Sequence, residues 1–141
     1  MKNLYLGLLT FFNSTQGTFW ADVNGQLYDT EADPSATYPY AVYSIMSDVD
    51  SDTFTENNKN IYLQIALYSA TPNDKSQILD MDTHLTDWLK DKIFAASGWT
   101  VVSTKRLQGT GPYSDTVGTT ETGLEKVWKM DVDFELLVSK N

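Results

Sequence analysis

The sequence contains no cysteine and one histidine, His84, and both facts limit the chemistry available to it. Without cysteine the chain has no disulfide scaffold, no thiolate-ligated zinc or iron–sulfur cluster, and no cysteine nucleophile. With one histidine it cannot supply two imidazoles to a site, which excludes the common His-rich metal sites and proton shuttles. The sequence therefore contains few of the side chains that commonly act as catalytic groups.

Basic residues are also scarce. Ten Lys and Arg stand against 19 Asp and Glu, for a formal net charge of −9, and the isoelectric point is about 4.3. Such a chain repels phosphates, so its charge argues against a nucleic-acid-binding protein. The excess of acidic over basic residues is larger in the first part of the chain. Residues 1–60 contain eight acids and two bases, whereas residues 61–141 contain eleven acids and eight bases.

The chain is long enough for one hydrophobic core. A protein of 15.9 kDa is expected to bury ~68% of its surface on folding. Hydrophobic residues make up 41% of the 141 residues, which is too apolar for a disordered acidic chain. We see no internal repeat and no linker, so we expect a single domain over residues 1–141 and no cofactor.

The apolar segment near the N-terminus predicts a helix. The run from Leu4 to Phe12 is about half of the ~20 residues that a transmembrane helix needs, and no small-residue cleavage site of a signal peptide follows it. Its larger apolar residues recur at helical spacing: Leu4, Leu8, Phe11 and Phe12. We therefore expect an amphipathic helix and no membrane partner.

Hydrophobic patterning predicts four strands and a second helix. Strands are expected over residues 40–46, 61–68, 99–107 and 128–138, and the last of them alternates apolar and polar positions most cleanly. Thr71 as N-cap and Pro72 as the first helical residue predict a helix that runs to about Ala96 and ends at Gly98. Residues 47–60 and 108–125 are expected to be loops, because they are polar or rich in Gly and Thr.

These elements predict an α+β fold. Two hairpins that flank a helix favour a four-stranded antiparallel sheet, with an N-terminal helix and a long central helix packed on one face.

Two patterns could carry chemistry. The alternating carboxylates Asp48, Asp50 and Asp52 look like the start of a calcium loop, but Thr53 and Lys59 stand where such a loop needs Gly and Glu. A solvated acidic turn fits better. His84 has only Asp80 and Asp87 one turn away on its own helix, so we expect a boundary histidine at the helix–sheet interface. No metal ligand and no catalytic residue is assigned.

Several short motifs in a fixed order resemble a known family. Leu27-Tyr28-Asp29 precedes the strand Tyr38-Pro39-Tyr40-Ala41-Val42-Tyr43-Ser44, and Ser47-Asp48 with Asp52-Thr53-Phe54 leads to a strand ending at Ser69. The Thr71-Pro72 helix start and the terminal Trp128-Lys129-Met130-Asp131-Val132-Asp133-Phe134 complete the order. This order resembles the tail terminator (tail completion) proteins of long-tailed bacteriophages, over residues 3–138.

The resemblance implies a virion assembly protein that is not an enzyme. Members of that family form a ring of six on the end of the tail tube, stop its growth and present the other face to the head–tail connector. The implied partners are therefore other copies of the chain, the tail tube protein, the connector protein, and genomic DNA that passes through without specific binding. The implied location is the tail or neck of a virion assembled in the host cytoplasm.

Such a ring protomer needs loops at both ends of a rigid body. The candidates for contact with neighbours are taken from the two expected loops: Asp48, Asp50, Asp52, Phe54, Glu56, Lys59, Gly109, Gly111, Tyr113, Asp115, Gly118 and Glu121. We expect the second loop to become ordered on contact with the tube or connector. Two other classes stay open, namely a secreted, calcium-stabilised binding module that uses Asp48, Asp50 and Asp52, and a small hydrolase that uses His84 with a carboxylate.

Overall fold

The computed structural model describes residues 2–50, 58–70, 75–120 and 123–140, with side chains described outside 115–126. The described residues form three helices, of which the first two open the chain and the third follows β3: α1 (Lys2–Ser14), α2 (Thr18–Asp22) and α3 (Ser76–Leu89). The strands are β1 (Leu27–Asp29), β2 (Tyr40–Asp50), β3 (Asn58–Ser69), β4 (Phe94–Ala96), β5 (Trp99–Thr120) and β6 (Gly123–Lys140).

The expected four-stranded antiparallel sheet is wrong. The strands form one curled, six-stranded mixed sheet, a half-barrel, in the order β1-β2-β3-β6-β5-β4. β1 pairs with β2 in parallel, whereas the other neighbours are antiparallel. The four expected strands lie within β2, β3, β5 and β6, and the prediction missed the two three-residue strands at the edges.

Where the structure describes them, the residues of both expected loops lie in strands. β2 continues to Asp50 and β3 begins at Asn58, so the ends of the first region belong to a hairpin. The second region is a ribbon in which β5 pairs with β6 up to Thr120 and Gly123. Register shifts interrupt this pairing at four places, including one between Thr110 and Tyr113. Such bulges let a strand carry glycines and a proline that regular pairing would exclude.

One face of the sheet carries the core, as the alternation of apolar residues predicted. In β3 the buried positions are Ile61, Leu63, Ile65 and Leu67, and in β6 they are Met130, Val132, Phe134, Leu136 and Val138. The helices pack on this face through residues of the same cluster, among them Leu8, Phe12, Met81 and Leu85. The polar partners in β6 lie on the opposite face with partial exposure.

The first helix is confirmed and forms an aromatic layer with α3. Phe11 of α1 stacks on Phe94 of β4 with ring centroids 4.5 Å apart and on Trp88 at 5.4 Å. Phe19 of α2 stacks on the same indole at 5.4 Å. The indole N–H of Trp88 donates to Thr15 Oγ1 at 2.7 Å, so the ring is held in one orientation.

The second helix is shorter than expected. α3 ends at Leu89, and the chain turns through Asp91, whose φ is +58°, into β4. Gly98, expected to end the helix, instead forms the turn between β4 and β5 with φ of +82°. The helix start expected at Thr71 and Pro72 lies outside the described residues. Within the described ranges, none of the helices is long and apolar enough to cross a membrane.

Candidate functional site

The described members of the two groups of candidate interface residues lie toward opposite ends of the sheet. β2 ends and β3 begins beside the end of β6, because Asn58 pairs with Ser139. At the other end Ser69 pairs with Trp128, and the β5–β6 ribbon continues beyond that pair to Thr120 and Gly123. The body therefore presents one hairpin at each end of its strands.

At the first end the acidic pair is engaged by a lysine. Lys59 Nζ lies 3.6 Å from Asp48 Oδ2 and 3.5 Å from Asp50 Oδ1. The same ammonium lies 5.9 Å from the ring centroid of Trp99. Lys59 thus occupies the place beside these carboxylates that a bound cation would take. Three further candidates, Asp52, Phe54 and Glu56, lie outside the described residues.

At the second end the candidates lie on a bulged strand rather than in a loop. Gly111 has φ of +107°, a conformation that other residues rarely adopt. A Cβ added to Gly109 would lie 2.4 Å from Arg106 Nη2 and 2.7 Å from Met130 Cε. The backbones of Asp115 and Gly118 pair with Val127 and Glu125 respectively. Glu121 lies outside the described residues.

The face opposite the core carries a row of tyrosines. Tyr40 lies at its centre, stacked on Tyr68 with centroids 4.8 Å apart and on Tyr38 at 5.3 Å. Burial, followed by the neighbouring phenols of Tyr38 and Tyr68, raises the pKa of Tyr40 to about 12. Tyr28 packs edge-on against the same ring at 6.1 Å. Clustered tyrosines of this kind are typical of protein contact surfaces.

Two acidic residues of β6 on this face, Asp131 and Asp133, have hydrogen-bond partners. Asp131 accepts a hydrogen bond from the Tyr113 hydroxyl at 3.0 Å, and Lys129 Nζ lies 3.8 Å from its other oxygen. Lys129 also lies over the rings of Tyr68 and Tyr113, at 5.6 and 5.9 Å. Desolvation works against its charge, but the neighbours Tyr68 and Asp131 outweigh that effect and raise the pKa of Lys129. This face is therefore an organised polar surface.

His84 lies beside a cleft, with a partner that sequence reasoning missed. Its Nδ1 is 2.5 Å from Asp22 Oδ2, across the contact between α2 and α3. The expected boundary position between helix and sheet is therefore corrected to one between two helices. The cleft has a volume of about 490 Å³ and is lined by Phe11, Thr15, Gly17, Thr18, Phe19, His84, Asp87, Trp88 and Lys92. Asp22 is 62 residues away in sequence, so no local spacing pointed to it.

No metal centre is present among the side chains that the structure describes, since no group of three or more His, Asp or Glu is suitably placed. His84 with Asp22 gives a paired imidazole and carboxylate, and both are partly buried. General acid–base chemistry would need a substrate and a reacting group within reach of that pair.

Comparison with known proteins defines the fold. A chain from a structure described as the virion of a native gene transfer agent (GTA) particle superposes with a TM-score of 0.67 at 14% identity, covering 93% of this chain and 91% of that chain. A second solved chain, which carries no descriptive name, gives a TM-score of 0.50 at 10% identity, with 96% and 91% covered. At such identities the likeness shows a shared fold and no more. No protein-family model matches the chain, and no curated protein matches it either.

Proposed function

We propose that this chain is a virion structural protein that caps a phage-type tail tube as a ring of six, ends tube growth and contacts the head–tail connector. The observation that supports the virion structural role is the match over nine-tenths of both chains to a component of a virion particle, whereas capping as a ring of six rests on the resemblance of the sequence. The family motifs in the sequence, from Leu27-Tyr28-Asp29 to Trp128 and Phe134, give independent support.

The placement of the hairpins supports the capping role. A terminator must bind the tube with one face and the connector with the other, and the two hairpins lie at opposite ends of the strands. One end carries the Asp48, Asp50 and Lys59 group, and the other end carries the β5–β6 ribbon, which continues beyond the pair Ser114 and Trp128. Each end therefore has a distinct chemical surface for an unlike neighbour.

The negative net charge is compatible with a ring through which DNA passes without binding. The formal net charge of −9 opposes phosphate binding. Acidic residues facing a channel would let genomic DNA pass without adhering, so we propose that the ring does not bind DNA specifically. Retention of duplex DNA by the assembled ring at low salt would contradict this part of the proposal. We also propose that the chain is not an enzyme and that it assembles in the host cytoplasm.

Tube termination can be tested directly. Purified protein is added to the polymerising tail tube protein from the same genome, and tube lengths are measured by electron microscopy. We expect a ring density at one tube end and no further elongation. Tubes that elongate at the unchanged rate, with the protein left unbound, would overturn the capping role. A variant with the β5–β6 tip shortened tests which end contacts the tube. Circular dichroism of that variant checks that it folds, and native mass spectrometry of the wild type gives the stoichiometry.

We propose that residues 108–125, whose described part belongs to the β5–β6 ribbon, become more ordered when the protein contacts the tube or the connector. Backbone pairing of β5 with β6 continues past the end of β3, so the ribbon is supported only by its own two strands there. We expect amide exchange in residues 108–125 to slow when the ring binds the tube or the connector. Unchanged exchange in that range on assembled tails would contradict the proposal.

Two other classes have their own tests. A calcium-stabilised binding module requires a melting temperature that rises with calcium and falls with chelator; the ion pairs of Lys59 with Asp48 and Asp50 make this less favourable. A small hydrolase requires His84, and loss of a measured hydrolytic activity in His84→Ala would support it. Tube capping that is intact in His84→Ala would support the structural role.

A further inference from the structure

We propose that copies of this chain associate head to tail by joining the acidic edge of one sheet to the basic edge of the next. The acidic edge is residues 27–50, which contain β1 and β2, and the basic edge is residues 90–114, which contain β4 and most of β5. The inference rests on the proposed ring for its biological setting, and it specifies which surfaces of the protomer would meet.

Both edges leave a length of strand without a neighbour. β1 covers only residues 41–43 of β2, so Met46–Asp50 has no outer strand within the described residues. β4 covers only residues 99–101 of β5, and the carbonyl of Thr104 accepts the amide of Asp91 at 3.1 Å. From residue 105 to residue 114 no further outer strand is present in the described part of the chain. Unpaired edge amides and carbonyls are a template for another strand.

Both open lengths also carry exposed apolar side chains. On β2, Met46 is 61% exposed and Val49 is 51% exposed. On β5, Leu107 is 41% exposed and Tyr113 is 39% exposed. Solitary exposed apolar residues are ordinary, but here they lie on the two strand segments that lack a neighbour. Pairing of the segments would bury them against each other.

The two edges have opposite charge. Residues 27–50 contain the five acids Asp29, Glu31, Asp33, Asp48 and Asp50 and no base. Residues 90–114 contain the four bases Lys90, Lys92, Lys105 and Arg106 and the single acid Asp91.

The two edges keep opposite net charges when the residues that form ion pairs with them are counted. Counting Lys59, which pairs with two of the acids, gives −5 + 1 = −4 for the acidic edge. Counting Asp82, which pairs with Arg106 at 3.1 Å, gives +4 − 2 = +2 for the basic edge. A basic edge is notable in a chain of net charge −9, and it attracts the acidic edge of a second copy.

The charges of the two edges favour one arrangement of the copies, in which unlike edges meet. Two acidic edges repel each other, as do two basic edges, so association of like edges is disfavoured. Association of unlike edges is heterologous and leaves one free edge of each kind at the ends of any open oligomer. Such a contact repeats until the copies close into a ring, which is the symmetry that a tail cap needs. Lys105 alone could instead serve to keep the edge unpaired, in which case the chain stays monomeric.

Site-directed cross-linking distinguishes these outcomes, and the absence of native cysteine makes each introduced thiol unique. Ser47→Cys places a thiol on the open length of β2, and Thr110→Cys places one on the open length of β5. Asn13→Cys, at an exposed position of α1, is the matched control. The variants are mixed in pairs at high protein concentration with a short bis-maleimide, and heterodimers are identified by isotope labelling and mass spectrometry.

We expect the Ser47→Cys and Thr110→Cys pair to give roughly ten-fold more heterodimer than either variant with Asn13→Cys, and high salt to reduce the difference. Equal yields for all pairs would overturn the proposal. Lys105→Glu should lower the yield, and adding Asp50→Lys to the same chain should restore it. Loss of cross-linking in both the single and the double charge variants would also count against edge pairing.

The test separates this inference from the proposed function. If the edges do not cross-link but the protein still ends tube growth, edge pairing is wrong and the capping role stands. If the edges cross-link and tubes grow unchecked, edge pairing is right and the capping role is wrong.

Discussion

Replacing Thr104 with valine tests how the end of α3 is fixed to the sheet. Thr104 is buried on β5, and its hydroxyl donates to the carbonyl of Leu89 and accepts from the amide of Lys92 at 2.8 Å. Valine has nearly the same shape, so packing is retained while both hydrogen bonds are lost. The substitution therefore isolates the polar contribution of one hydroxyl.

The expected loss in the free energy of unfolding depends on which hydrogen bonds the backbone groups of Leu89 and Lys92 keep in Thr104→Val. Each lost hydrogen bond contributes about 0.5–1.5 kcal/mol. The amide of Lys92 also donates to the carbonyl of Leu89 at 3.2 Å, so neither backbone group is left without a partner. We therefore add no penalty for a buried orphan group and expect Thr104→Val to lower the free energy of unfolding by about 2 kcal/mol.

Thr104→Ser is the matched control. It keeps the hydroxyl and loses one buried methyl group, which costs about 0.8 kcal/mol. Urea unfolding of both variants, with an unchanged denaturant slope, measures the two free energies. The reasoning is refuted if Thr104→Val is as stable as Thr104→Ser or more stable, because packing would then outweigh the hydrogen bonds.

Three further predictions concern the helix layer and the tyrosine row. Gly7→Ala places a Cβ 2.4 Å from Ala96 Cβ, and we expect a net loss of about 1–2 kcal/mol of unfolding free energy by urea titration, since overpacking exceeds the gain in helix propensity. Trp88→Phe keeps an aromatic ring in the layer but removes the 2.7 Å hydrogen bond to Thr15, and we expect a loss of about 1–2 kcal/mol by the same method. The pKa of Tyr40 is raised to about 12, so its contribution to stability is full below its ordinary pKa of about 10 and is lost as pH rises from there to about 12. Tyrosinate absorbance at increasing pH should show late-ionising groups, and Tyr40→Phe should remove one of them while Tyr43, whose pKa is also raised by burial, remains.

The controls and contrary outcomes are specific to each change. Gly17→Ala is the steric control, because the nearest atom to its added Cβ is 3.9 Å away, and it should cost less than Gly7→Ala, with only the N-cap preference for glycine lost. A Gly7→Ala protein more stable than wild type would contradict the close contact of α1 with β4. Wild-type stability in Trp88→Phe would mean that the indole hydrogen bond contributes nothing. A single ionisation near pH 10 for all tyrosines would contradict the burial of Tyr40.

The predictable part of the fold was the part with long, regular patterning. The central parts of β3 and β6 place apolar residues at every second position, and α1 repeats its large apolar residues at helical spacing. Each of these patterns has one physical interpretation, because one face must be buried and the other face must not. The register of β3 against β6, which sets the centre of the sheet, still required the structure.

The remaining features depend on contacts that local sequence does not encode. β1 and β4 have three residues each, and β4 follows α3 so closely that its Phe94-Ala95-Ala96 fits a continued helix. The Gly- and Thr-rich part of β5 has a loop composition, yet it is a strand because β6 supplies the pairing. His84 finds Asp22 across 62 residues, and the opposite charge of the sheet edges is visible only once the strand order is known.

The position of β6 between β3 and β5 has a consequence for how the chain folds during synthesis. The nearest residues paired between β3 and β6 are Ser69 and Trp128, which are 128 − 69 = 59 positions apart, and the separation grows toward the other end of the strands. Until β6 leaves the ribosome, β3 has an unpaired edge and the sheet lacks the strand that joins β3 to β5. Such non-local pairing is slow to form and exposes strand edges in the meantime. A nascent chain stalled before residue 123 should therefore remain unfolded and sensitive to protease.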